Sequence, residues 1–271
     1  QYSCIKMLKY LESNKIKKVY WGLPPVNPSL RLALISYLKK NKINVIGIQH
    51  GGYYGEMEIF DKIHMLTDYV NCDQFYSYDN YKYKSNKKIF SQKESCKIIK
   101  RGSYKKNYFN KNYFKKINEK KILYPITHWH SSFNGFPGVD NNYMYNLQKN
   151  ILNILSNLKI DKIIKFSPIV YNKKDDGMYP GHILSQKYDN FIYEKDKSIV
   201  DSINFYKPDL IILDTISSPI HEVLNSNCQI ICFYETIAGL KKTVKKKFSK
   251  RVNFVNTIKE FDLLINKYKK N

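Results

Sequence analysis

The chain lacks the run of ~20 uninterrupted apolar residues that a membrane-spanning helix requires, and it opens on no secretory pattern. Cysteine is sparse. The five residues, at positions 4, 72, 96, 228 and 232, form no CxxC pair. That argues against a thiolate metal site or a disulfide framework and for reduced, cytosolic thiols. Arginine occurs only at 31, 101 and 251, which argues against a protein that reads base edges, since such readers favour the arginine fork. Alanine and glycine are scarce beside lysine, asparagine, isoleucine and tyrosine. The pattern is that of AT-rich coding, so a single Lys or Asn carries little information. Three signatures are missing as well. Without GxxxxGK[ST] there is no P-loop, no GxGxxG follows the first strand, and there is no GxSxG nucleophile turn.

What is present suits a globular enzyme. The 271 residues are long for one domain and comfortable for two, and the 43% hydrophobic share fills a core that a disordered chain would lack. The first residue is Gln1, which leads us to expect a missing N-terminal portion. The net charge of +23 would suggest nucleic acid if the lysines were clustered, but they are spread along the chain. The densest group, Lys241, Lys242, Lys245, Lys246, Lys247, Lys250 and Arg251, has the spacing of an exposed helix face. Two readings of it stay open: a solvated face, or a surface for anionic membrane lipids. Nucleic acid is not expected as a partner.

Apolar strands alternate with amphipathic helices throughout. A strand over 17–23, a helix over 30–40 capped by Ser29 and a strand over 43–48 form a parallel βαβ unit. Short strands at 74–78 and 96–99 follow. The polar stretch 104–119 resembles a connector, so we place a boundary there and expect domains at 1–112 and 113–271. The second run predicts strands at 121–125, 162–166, 191–193, 209–214 and 229–233, with helices over 143–158, 197–206 and 257–269 and one opening at Ser217–Pro219. Strands without in/out alternation belong to parallel sheets covered on both faces. The expected fold class is therefore α/β, with two Rossmann-like parallel-sheet domains.

Ligands of such sheets bind beyond the carboxyl ends of the strands, and the informative polar residues fall there. His50 follows the strand 43–48 and precedes Gly51 and Gly52, which let the backbone turn sharply or approach a ligand. It is a candidate general base or phosphate partner. Thr127, His128 and His130 follow the strand 121–125, and Ser167 follows 162–166. Asp214, Thr215, Ser217 and Ser218 follow 209–213. Free N–H groups and hydroxyls at 214–218 would suit a diphosphate, with Glu222 one turn further on for a ribose or sugar hydroxyl; an ordinary helix cap is the plainer alternative. A zinc ion would need a third ligand, such as His50 or Asp140, beside His128 and His130. Nothing supplies metal spacing, so no metal is expected.

The segment Ile48-Gln49-His50-Gly51-Gly52-Tyr53-Tyr54-Gly55, with Asp61-Lys62-Ile63-His64 and Thr67-Asp68 downstream, resembles the QHGGGYG segment of a group of bacterial surface-carbohydrate transferases. More broadly, the layout is similar to GT-B enzymes such as the capsule Kdo transferases and the CDP-glycerol glycerophosphotransferases. Leu123 to Thr127 and Asp214-Thr215-Ile216-Ser217-Ser218 with Glu222 match the opening strand and the D-x-S-S element of their C-terminal domain. The resemblance covers residues 17 to 235. It implies two domains facing a cleft, the N-terminal acceptor-side one incomplete, and a metal-independent glycosyltransferase. His50 would be catalytic, with Thr127, His128, His130, Ser167, Asp214, Thr215, Ser217, Ser218 and Glu222 at the donor. Partners would be a nucleotide-sugar donor and a glycan or lipid-linked acceptor. No cofactor is implied, and the location would be cytoplasmic, peripheral to the membrane where acceptors are lipid-linked. The alternatives are a glycerophosphotransferase or a nucleotide-sugar epimerase on the same fold, or a non-enzymatic basic binding protein. One departure stands out: Lys165-Phe166-Ser167-Pro168 occupies the place of the family's basic-x-His-Pro turn, which weakens the glycerophosphotransferase alternative.

Overall fold

A computed structural model describes residues 2–22, 28–49, 54–57, 68–78, 96–102, 120–127, 141–166, 184–185, 187–234 and 239–270. The chain divides into two compact units, Gln1–Lys106 and Asn107–Asn271; the boundary expected at 112/113 lies outside the described residues.

In the first unit α1 (Tyr2–Ser13) leads to β1 (Lys18–Trp21), α2 (Pro28–Lys40) and β2 (Asn44–Ile48), then to β3 (Gln74–Ser77) and β4 (Lys97–Lys100). The strands pair in parallel in the order β1-β2-β3-β4. Alternation decides which side is packed: Val45 and Phe75 join Leu34 and Leu38 of α2 and Leu11 of α1 in one buried cluster. Gly47 allows that packing, because a Cβ there would stand 2.6 Å from the Phe75 ring and 2.7 Å from Cys72 Sγ. The helix α2 begins at Pro28 rather than after Ser29. Proline's fixed φ and missing N–H suit a first helical turn, so Ser29 lies inside the helix instead of capping it.

The second unit runs β5 (Lys121–Pro125), α3 (Asn141–Ser156), β6 (Asp161–Lys165), β7 (Ile192–Glu194), α4 (Ile199–Tyr206), β8 (Leu210–Leu213), α5 (Ser218–Val223), β9 (Gln229–Phe233), α6 (Lys242–Phe248), β10 (Val252–Val255) and α7 (Ile258–Lys270). Among the described residues six strands form one parallel sheet in the order β10-β9-β8-β5-β6-β7. β8 is buried along its whole length, as a central strand covered on both faces must be. Ile122, Tyr124, Ile164, Leu210, Ile212, Ile231 and Phe233 face α3 and α7, whose Leu147, Ile151, Leu155, Phe261 and Ile265 fill the same core. The other face carries α4 and α5, which pack side by side.

β10 was not expected. Its four residues include the exposed Asn253 and follow a lysine-rich helix, so periodicity alone gives no strand; pairing with β9 makes it one. Within the Lys-rich 241–251 segment the helix α6 leaves Lys242, Lys246 and Lys247 exposed, Lys245 is half-buried with its ammonium over the Tyr234 ring, and Arg251 lies past the helix end. Its guanidinium donates to the carbonyls of Ser226 and Cys228 and ties the helix end to the turn before β9. No helix among the described residues is long and apolar enough to cross a membrane.

Candidate active site at the switch point of the second sheet

Strand order is what singles out a place on this sheet. From β5 the chain winds outward to β6 and β7, then returns to the other side of β5 and continues through β8, β9 and β10. The reversal leaves β5 and β8 adjacent, with their connections leaving in opposite directions, and ligands of doubly wound sheets bind in the crevice outside the strand ends at such a point. Two of the segments singled out from sequence, 127–130 and 214–222, follow these two strands.

The described residues meet there through a buried network. Asp214 is 2% exposed. Its Oδ2 accepts from the Tyr124 hydroxyl (2.8 Å), the Thr127 N–H (3.1 Å) and Gln148 Nε2 (2.8 Å). Gln148, from α3, also donates to the Thr127 carbonyl at 2.7 Å. Both backbone groups of Thr127 are thus held, by Asp214 just past β8 and by Gln148 of α3. Burial pushes the Asp214 carboxyl above its ordinary range, opposed by the donors of Thr127, Gln148 and Tyr124. Burial and the neighbouring carboxylate push the Tyr124 hydroxyl well up, so it stays a donor.

Above this floor Thr215, Ser217 and Ser218 are half-buried. Ser217 occupies the N-cap position of α5 in extended backbone but makes no capping bond from its side chain. Among the described residues no hydrogen bond occupies the hydroxyls of Thr215, Ser217 or Ser218, so the ordinary-cap alternative does not account for these serines. Since α5 is only six residues long, its dipole adds little, and polar groups rather than the helix give the rim its character. Glu222 lies half-buried on α5, close enough to favour the charge of Lys165.

The structure therefore brings together Thr127, Asp214, Thr215, Ser217 and Ser218, with Glu222 on the same short helix. His50, Gly51, Gly52, His128, His130 and Ser167 lie outside the described residues. Sequence reasoning missed Gln148 and Tyr124. Gln148 sits within the apolar stripe of α3, where a polar residue at a buried position was the available signal. Tyr124 passed for an ordinary strand aromatic.

In the first unit the strand end that leads to His50 is also fixed. Gln49 is buried, donates its N–H to the Tyr76 carbonyl and accepts from Tyr78 N–H at 2.8 Å through Oε1. Tyr54 donates to Asp68 Oδ2 at 2.7 Å and stacks on Phe75, and Gly55 takes φ of 77°, a left-handed turn that favours glycine.

No protein-family model matches the chain, and no curated protein matches it in sequence. Among solved structures, a glycosyltransferase from Rickettsia africae ESF-5 is similar over 98% of this chain and 69% of its own, at 15% identity and a TM-score of 0.50. A Listeria monocytogenes protein provisionally described as a UDP-N-acetylglucosamine 2-epimerase is similar over 98% of this chain and 71% of its own, at 12% identity and a TM-score of 0.47. The fold is GT-B-like: two parallel-sheet α/β units in one chain. At these identities the likeness is one of fold, and what the site does must be argued from its own residues.

Proposed function

We propose that the chain is a glycosyltransferase that moves a sugar from a nucleotide-sugar donor to a surface-glycan acceptor in capsule, lipopolysaccharide or related polysaccharide synthesis. The observation that carries this reading is the meeting of Thr127 and Asp214 at the β5–β8 switch point, beneath a rim of unspent hydroxyls. In it, Thr127, Thr215, Ser217 and Ser218 contact the donor's phosphates. Glu222 takes a hydroxyl of the ribose or sugar. Asp214 acts from beneath, holding Thr127 in place. His128, His130 and Ser167 complete the donor side. His50, followed in sequence by Gly51 and Gly52, is the base or phosphate partner in the reaction. The reaction uses no metal and no cofactor. Positioning of the two substrates and stabilisation of charge on the departing diphosphate supply most of the rate. The exposed lysines of α6 suit peripheral contact with the anionic membrane that would carry lipid-linked acceptors.

The test is calorimetry of the intact protein with UDP-, GDP-, CDP- and CMP-linked ligands, followed by product analysis with and without acceptor. Binding of one donor, and sugar transfer that His50→Ala abolishes, is the expected result. Absence of binding to any of them would sink the proposal. Conversion of the donor without acceptor would turn it toward an epimerase.

A further inference from the structure

The four strands of the first sheet lie in chain order and run parallel. Right-handed crossovers between strands in that order all pass over one face. The core agrees: Leu38 of α2, with Tyr54 and Tyr69 from the β2–β3 connection, packs with Val45 and Phe75. Alternation turns Tyr20, Ile46, Ile48, Tyr76 and Ile99 to the opposite face. There Ile46 is buried, Ile48, Tyr76 and Ile99 are half-buried, and Tyr20 is 55% exposed. What this face leaves open is aromatic more than aliphatic.

Its charge is of one sign. β1 to β4 contain no acidic residue, and Lys18 and Lys97, both exposed, begin β1 and β4 on this face. Arg101 follows β4 and extends its pairing, donating its N–H to the Ser77 carbonyl. Its guanidinium lies 4.8 Å from the centre of the Tyr76 ring, and the Tyr20 and Tyr76 ring centres are 6.5 Å apart. The ring holds the planar fork in place. Among the described residues no carboxylate pairs with Arg101. Arginine occurs only at 31, 101 and 251, and the many lysines cannot replace its fork, whose N–H groups fit a carboxylate bidentately.

A carboxylated sugar matches both halves of this surface. The C–H face of a sugar ring packs on an aromatic face such as Tyr20 offers. Its carboxylate meets the Arg101 fork, and the lysines attract the rest of a repeating acidic chain. A second copy of this chain fits poorly, since its net charge of +23 would add to that of the face. We propose that this face of the first sheet, centred on Tyr20, Tyr76 and Arg101, binds an anionic glycan through its uronic or sialic acid residues. As the identity of the acceptor this rests on the transferase reading above; as a binding site it is independent of the donor site.

The experiment compares intact wild-type protein with Tyr20→Ser and Arg101→Gln. Lys259→Glu combined with Lys267→Glu, both exposed on α7, serves as a charge control. Binding of oligogalacturonate, oligosialic acid and neutral maltohexaose is measured by calorimetry, and melting confirms that each variant is folded. We expect wild type to bind at least one acidic chain and not the neutral one. Arg101→Gln should weaken that binding about tenfold or more, and Tyr20→Ser roughly threefold to tenfold. The α7 variant should stay close to wild type. Absence of binding to both acidic chains overturns the proposal, as does unchanged affinity in folded Arg101→Gln or Tyr20→Ser. An equal loss in the α7 variant would mean diffuse attraction to lysines and overturns it too. So does a wild-type dimer that Tyr20→Ser dissolves, which would give the face to a second copy. Acidic-chain binding through Arg101 with no nucleotide-sugar bound leaves the site standing and defeats the transferase reading alone.

Discussion

Gln148 shows how much one buried side chain can organise. It is fully buried in the apolar stripe of α3, yet it spends its amide on Thr127 and Asp214, which come from the ends of β5 and β8. A leucine of similar size would satisfy the helix and the core but leave the Thr127 carbonyl with one donor fewer in a site screened from water. We expect Gln148→Leu to cost about 1–3 kcal/mol of stability, read from the urea midpoint at unchanged slope. A loss within about 0.5 kcal/mol would mean that water or relaxation meets the exposed groups and that the network is not needed for the fold. Tyr124 and Asp214 obey the same logic. Three donors converge on Asp214 Oδ2, and one of them is the Thr127 N–H, so the carboxyl group holds the Thr127 backbone in place.

At the scale of elements, polar side chains fix where strands and helices begin. Asp73 Oδ2 accepts from Val45 N–H at the start of β2, and Asp209 Oδ2 accepts from Lys121 N–H at the start of β5, both at 2.8 Å. Each aspartate precedes a strand and pins the adjacent one, so the two units use one device to set register. Glu194 does comparable work between β7 and α4. Burial pushes its pKa up, but the N–H and ammonium of Lys197, the N–H of Asp196 and the Tyr206 hydroxyl outweigh it and bring it from 4.5 to about 2. A carboxyl depressed in the folded state stabilises at pH above its unfolded value, and that contribution fades as pH falls through the folded one. Stability should therefore drop between pH about 4.5 and about 2. Glu194→Gln should be less stable near neutrality and lose less over that interval, as followed by thermal melts across pH. An unchanged acid limb would show that Glu194 does not control it.

At the scale of the molecule, each unit has an apolar core of its own among the described residues, and 46 Lys and Arg stand against 23 Asp and Glu. Such an excess repels itself in the compact state. Raising the salt from roughly 0.05 to 0.5 M shortens the screening length to a few ångströms and should raise the melting temperature. A melting temperature indifferent to salt would mean that the lysines are too dispersed to repel. The α/β class and nearly all strands of both units were legible in the sequence, because Leu210 to Leu213 or Val45 to Ile48 announce a buried strand by themselves. β10 was not, since a four-residue edge strand containing Asn253 has no periodicity to distinguish it from a loop.

The residues of the site were legible in part for the same reason. Thr127 and Asp214 to Ser218 stand just past strands that composition alone identifies, so the sequence determined that each lies on a carboxyl edge. It did not determine which edges are neighbours. That β5 pairs with β8, that Asp214 reaches Thr127 across 87 positions of chain, and that Gln148 enters from α3 were decided by strand order and by which face each helix covers. Hydrophobic periodicity is a property of each segment and is written locally. Adjacency between segments is chosen by the packing of the whole sheet, where burying both faces of β5 and β8 leaves their two polar ends side by side.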